Sequence, residues 1–191
     1  ETGMERFEHS VRIGADRHAS WIIEKACLAA VGAGSYDQAL ACNEQFRRHL
    51  RKMGYVLEGS FIEIFTLYQM GTLSEYQYVP DTCIGELQVL IGNREQWTLI
   101  DLLAGIVLYL LTLDQKIRAV EIYALLCTRP YITNSQWYDD VIGRHIRETA
   151  ASLPPDVVAA AEARGRELDF WETAEALIEE LAAIELEGGD Y

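Results

Sequence analysis

"AVGAGSYDQAL", residues 30–40, is the stretch on which the fold turns. Two glycines two residues apart, ahead of a helix-like run, suit either a loop that cradles phosphate or a turn between helices. A Walker-type loop places Lys and then Ser or Thr at the helix start, to reach the outer phosphates and to hold magnesium. Here Gly34 is followed by Ser35, Tyr36 and Asp37, and the Asp37 carboxylate repels phosphate. A dinucleotide loop follows a strand, whereas "IIEKACLAAV", residues 22–31, is Ala-rich and helical in character. The stretch therefore reads as a turn, with Ser35 and Gln38 as a capping box that opens the next helix.

Worked outward, the same turn recurs. Gly34 opens a helical stretch that stops at Gly54, and Gly71 opens another that stops at Gly92, so the openings lie 37 residues apart and the endings 38. Gly54 and Gly92 suit the left-handed residue just past a helix C-terminus. A helix follows each ending: "GSFIEIFTLYQM" from Gly59 and "WTLIDLLAGIVLYLL" from Trp97. "DQKIRAVEIYALLC", residues 114–127, stands where the next partner helix belongs, with Asp114 as its cap. Pro80 would break a helix interior, so the second partner helix is predicted to start near it and "TLSEYQYV" to be irregular or a short turn. Apolar residues recur at helical spacing, as in Trp21, Ile22, Ala26 and Ala29–Ala30, and no alternating stretch predicts a sheet.

After "CTRPYITNSQ" the pattern changes. One helix is predicted through "WYDDVIGRHIRETAASL", a second from Pro155 to Gly165, and a third opened by Asp169 and Glu172 as a capping box. These shorter helices read as a cap on the stack. The opening "ETG" reads as an expression scar, so the expected organisation is a lead-in over 1–16, helical repeats over 17–132, and capping helices with an acidic tail over 133–191.

Bulk chemistry narrows the function classes. The net charge is −14, and from Asp156 onward eleven acids face only Arg164 and Arg166. A field of this sign repels nucleic acid and anionic lipid. The longest uncharged run, residues 102–113, would rise about 18 Å as a helix, short of a bilayer's ~30 Å core. It reads as a helix buried on most sides, and no membrane span is predicted. Cys27, Cys42, Cys83 and Cys127 form no close pair, which points to free thiols and to the cytoplasm.

The motifs resemble a known family. "GSYDQALACNEQFRRHLRKMGY" is similar to the turn and second helix of a tetratricopeptide-type repeat, and "IGNREQWTLIDLLAGIVLYLLTLDQKIRAVEIYALL" to the next helix pair. "LPPDVVAAAEARGRELDFWETAEALIEEL" resembles the end of the helical-repeat region in bacterial regulators of the signal-transduction NTPase class, the maltose-regulator-like and antibiotic-regulator-like activators among them. The likeness covers about residues 17–185. It implies an all-α fold: an α-solenoid of tetratricopeptide-like helix pairs, wound as a right-handed superhelix, with a C-terminal helical cap. It also implies a sensor that binds a protein, peptide or small ligand while a separate domain hydrolyses nucleotide.

No catalytic, cofactor or metal site is expected. His9, His18, His49 and His145 share no metal-ligand spacing, no serine sits in a nucleophile elbow, and Cys83 reads as a packing thiol rather than the partner of His49. Glu63 lies nine residues after Gly54 and Asp101 nine after Gly92, each alone in an apolar helix. That register predicts two carboxylates on matching faces of successive helices, in a concave groove with Tyr68 and Tyr109 beside them. Such a groove would hold a cationic peptide, an amine or a basic partner, and would disfavour an acidic peptide tail; the alternative is that both acids are solvent-facing positions. "RRHLRK", residues 47–52, is either a solvated face or a docking patch for an acidic partner. The other function open to such a chain is structural self-association.

Overall fold

The computed structural model describes residues 3–54, 60–76 and 78–188, and every regular element among them is helical. Seven helices come first: α1 (Gly3–Arg12), α2 (Asp16–Gly32), α3 (Tyr36–Lys52), α4 (Ser60–Met70), α5 (Val79–Gly92), α6 (Gln96–Thr112) and α7 (Lys116–Leu126). The short α8 (Pro130–Thr133) and α9 (Gln136–Tyr138) follow. A π turn over Asp139–Gly143 carries α9 into α10 (Arg144–Ala151), and α11 (Pro155–Glu167) and α12 (Phe170–Gly188) complete the chain. The start expected at Gly59 and the tail at 189–191 lie outside the described residues.

One piece of backbone chemistry joins most of these helices. Gly14, Gly34, Arg94 and Asp114 take left-handed backbone angles, with φ of 71°, 71°, 53° and 59°. In each case the next residue donates its N–H to the carbonyl five back: Ala15 to Ser10, Ser35 to Ala30, Glu95 to Leu90 and Gln115 to Leu110, at 2.9–3.0 Å. This is the Schellman closure of a helix C-terminus. The same four residues then start the next helix, since their own carbonyls accept from Ala19, Ala39, Leu99 and Ala119. All four donors are fully buried, and three are alanines, because two helices joined by so short a link approach closely there. Gly54, φ 80°, falls on the same count, so five of the six left-handed residues described stand at 14, 34, 54, 94 and 114, in steps of 20 or twice 20. The sixth, Gly71 with φ 74°, falls between them, and Thr72 after it also donates to the carbonyl five back, that of Leu67, at 3.0 Å.

That count corrects the sequence register. Gly92 is the last residue of α5, and the left-handed residue is Arg94, 40 after Gly54. Ser35 holds the cap position of α3 but makes no side-chain cap bond. Asp114 likewise does not cap α7; Gln115 holds the cap position and the Asp114 carboxylate pairs with Lys116 Nζ at 2.9 Å. Gly71 is the irregular member: the turn Leu73–Glu75 follows it, and Pro80 sits in the first turn of α5, as the sequence predicts. Asp169 does cap its helix, its Oδ1 accepting from the N–H groups of Trp171 and Glu172 at 2.8 and 3.0 Å. The buried residues of α2 are Ala19, Ile23, Cys27, Leu28, Ala30 and Val31; of the predicted stripe Ala30 is buried, while Ile22 and Ala26 are partly covered and Trp21 stands 57 % exposed.

α2 packs between α1 and α3, α3 continues onto α4, α4 lies against α6, and α6 is flanked by α5 and α7. Every residue of α6 from Leu99 to Leu110 is buried, as its uncharged run predicts. The chain then doubles back, with α11 against α7 and α12 against α5. Phe170, Ala174, Leu177 and Leu181 of α12 enter the same apolar cluster as Ile23, Phe65 and Leu103, so the expected divisions at 17 and 133 share one core. No helix among the described residues is long and apolar enough to cross a membrane.

Among the described glycines, Gly165 of α11 has the closest neighbours. A Cβ there would overlap the Glu121 carbonyl of α7 and approach Ala124 Cβ to 2.8 Å. Gly165→Ala must therefore push α11 off α7, and chemical denaturation is expected to find a loss of about 1–3 kcal/mol, against the helix-propensity gain that Ala would bring in an open helix.

Candidate functional site

The face formed by α2, α4 and α6, where a concave groove is expected, is covered by the chain's own residues 130–147. Trp137 anchors the cover. Its indole N–H donates to the Leu28 carbonyl of α2 at 2.9 Å, and its ring packs edge-on against Phe65 of α4, centroids 5.4 Å apart. The ring reaches α2 because position 32 is glycine: a Cβ there would stand 2.8 Å from the indole nitrogen. One residue on, the Tyr138 hydroxyl donates to Asp101 Oδ1 of α6. Further along, Gln69 Nε2 of α4 donates to the Val141 carbonyl at 2.9 Å, and Arg144 donates to Gln69 Oε1 at 2.6 Å. Tyr68 meets the His145 ring edge-on at 4.9 Å. The π turn widens the helix at the point where these contacts change from α6 to α4.

The four sequence-predicted groove residues are thereby separated. Asp101 is 4 % exposed. Burial pushes its carboxyl up to about 7; Lys25 of α2 opposes that rise and Glu24 adds to it. Tyr68 lies under His145, whose imidazole burial and Arg144 hold below the ordinary value. Glu63 faces elsewhere: it pairs with Arg47 of α3 at 2.9 Å and accepts from the Tyr78 hydroxyl at 2.8 Å. Burial and this bond raise the Tyr78 phenol. Tyr109 is buried, and its phenol is raised by burial and by Cys83 of α5. The two carboxylates do not share a face, because the left-handed residue before α6 is Arg94: Asp101 comes seven residues after it and Glu63 nine after Gly54. Only Asp101 and Tyr68 meet the covering segment.

Trp137, Tyr138, Gln69 and His145 carry the contacts that sequence reasoning passes over. The adjacent aromatics Trp137 and Tyr138 were the available signal, but their targets lie 109 and 37 residues away in the chain.

Comparison of the chain with protein-family models, with curated proteins and with solved structures gives no match. Among the described residues no three His, Cys, Asp or Glu side chains converge as a metal site. The four cysteines are free thiols, and burial raises Cys27 and Cys83 far above the range in which a thiolate forms. An open cleft of about 720 Å³ lies instead between α1 and α3, at the end of the chain remote from the covering segment in sequence.

Proposed function

We propose that the chain is a non-catalytic helical-repeat module that binds a protein or peptide, or a small ligand, within a larger bacterial signalling regulator in the cytoplasm. The observation that supports this reading is the recurrence of one backbone turn at 20-residue steps. Helices joined by like three-residue links stack as repeats, and a stack offers long side-by-side helix surfaces to a partner. We read the stack as a tetratricopeptide-like α-solenoid with a right-handed superhelix and α11–α12 as its cap. The regulator context rests on the likeness of the repeat and tail motifs alone.

An immobilised chain incubated with a bacterial extract tests the reading. A protein that is enriched saturably, and that rebinds when purified, is the expected result; steady hydrolytic turnover by the purified chain with no saturable partner sinks it.

Self-association is the second reading, and the exposed apolar edge at α1 and α2 favours it: Ile13 is 65 % exposed and Trp21 57 %. Light scattering over a range of concentrations separates the two, since self-association raises the mass above the 21.6 kDa of one chain.

A further inference from the structure

The cleft between α1 and α3 differs from the rest of the surface in charge and in shape. Its floor is apolar, made by Phe7 and Val11 of α1 and by Met53 just past α3. Val11 is 39 % exposed although it lies on the cleft wall. His49 closes the inner end: it is 5 % exposed, packs edge-on against Phe7 at 5.4 Å, and meets the Asp16 carbonyl at 3.1 Å. This contact ties α1, α2 and α3 together, so the floor is held by three helices.

The rim is mostly basic. Arg12 stands on α1, and Arg48 and Lys52 on α3, against Glu8 and Asp16. Arg48 shares Glu44 at 3.2 Å, both being well exposed. Arg12 and Lys52 make no ion pair among the described residues. Basic residues in a helix's last turn complement its dipole, but that does not account for an apolar floor left open between two such helices. The surrounding charge sharpens the contrast. Residues 1–54 carry eight Lys and Arg against seven Asp and Glu, whereas residues 55–191 carry eight against 23. The net negative charge thus lies wholly outside the part of the chain that builds the cleft.

We infer that the α1–α3 cleft is a docking site for an acidic amphipathic helix of a partner protein, its apolar side on Phe7, Val11 and Met53 and its carboxylates against Arg12 and Lys52. The inference rests on the binding-module reading above and gives its partner a chemistry. A helix laid in such a groove is read through apolar anchors three and four residues apart. α1, with ten residues, offers about 15 Å of wall, enough for some three turns of a bound helix. A nucleic acid strand would also meet the basic rim, but its phosphates offer nothing apolar to the floor of Phe7, Val11 and Met53.

The test uses the full chain and a fluorescent peptide of the sequence FWETAEALIEELAAI, which is that of residues 170–184 and carries four glutamates. A second peptide carries lysine at those four positions. Fluorescence anisotropy is expected to find binding of the acidic peptide alone, weakened by added salt. The variant Arg12→Glu/Lys52→Glu is expected to bind it about tenfold more weakly, and Val11→Asp to weaken it through the floor, with the helical circular dichroism of both unchanged. Equal binding of the two peptides, binding of neither, an undiminished affinity in both variants, or tighter binding of a single-stranded oligonucleotide would each overturn the inference. A protein captured from extract equally well by the wild type and by Arg12→Glu/Lys52→Glu would leave the binding-module reading standing and move its site away from this cleft.

Discussion

Asp101→Asn is expected to stabilise the protein at pH 8 and to leave it nearly unchanged at pH 3. The carboxyl of Asp101 is held at about 7 in the folded chain, against an ordinary value of 3.8. The folded state therefore keeps its proton where the unfolded state releases it, and stability falls as pH rises between those two values. Below both, Asp101 is neutral in either state and carries no penalty; above both, the full cost of ionising it inside the protein is present. Three units correspond to about 4 kcal/mol, and some relaxation around the carboxylate leaves about 2–4 kcal/mol for the variant to recover. Asparagine keeps an acceptor oxygen for the Tyr138 hydroxyl and has no charge to bury. Lys25 and Glu24 of α2 and Tyr131 and Tyr138 of the covering segment face this carboxyl. The Asp101 charge helps to hold Lys25 and Tyr131 above their ordinary values, so both keep their protons at either pH. Thermal melts at the two pH values check it, with a rise of about 5–10 °C at pH 8 for a chain of this size. A stability difference that does not vary with pH would refute the assignment.

Trp137→Ala is expected to cost about 3 kcal/mol and to loosen residues 130–147 selectively. The indole is half-buried and joins α2 to α4 through Leu28 and Phe65, so truncating it opens a void beneath the cover at the place where Gly32 was cleared for it. Trp137→Phe keeps most of the ring and loses only the hydrogen bond to Leu28, at about 1 kcal/mol. Urea unfolding gives the two losses, and hydrogen exchange locates them. Faster exchange in the π turn and α10, with α6 and α7 still protected, is the expected pattern. If exchange rises evenly over all helices, Trp137 supports the whole core and not the cover in particular.

The two expectations concern one arrangement, in which the chain places its own aromatic helix over the face of α2, α4 and α6. A ligand for that face has to displace Trp137 and Tyr138, whereas the cleft between α1 and α3 is open as it stands. Binding and self-association therefore have different surfaces available to them from those that the repeat pattern alone proposes.

Some of this was legible in the residues themselves. Helical spacing, the uncharged run that becomes the buried part of α6, Pro80 at the start of α5, Pro155 at the start of α11 and the Asp169 cap are all local, and each follows from backbone chemistry within a few positions. The turn after Val31 was readable for the same reason: Gly34 takes the left-handed angle that glycine adopts at least cost. The register slipped where that angle is taken by Arg94 and Asp114, side chains that give no sign of it in a sequence. Matching glycine to glycine then chose Gly92, two residues early, and placed Glu63 and Asp101 on one face. In the folded chain Glu63 binds Arg47 and Tyr78, and Asp101 lies under Tyr138.

What the sequence by itself determined is the main run of helices, α2–α7 and α10–α12, because hydrophobic periodicity, caps and helix breakers act within one or two turns of chain. Which faces stay open was decided only by tertiary structure. The Trp137 contact with Leu28 joins residues 109 positions apart and the Tyr138 contact with Asp101 residues 37 apart, and such pairings depend on how whole helices pack, which no local pattern records.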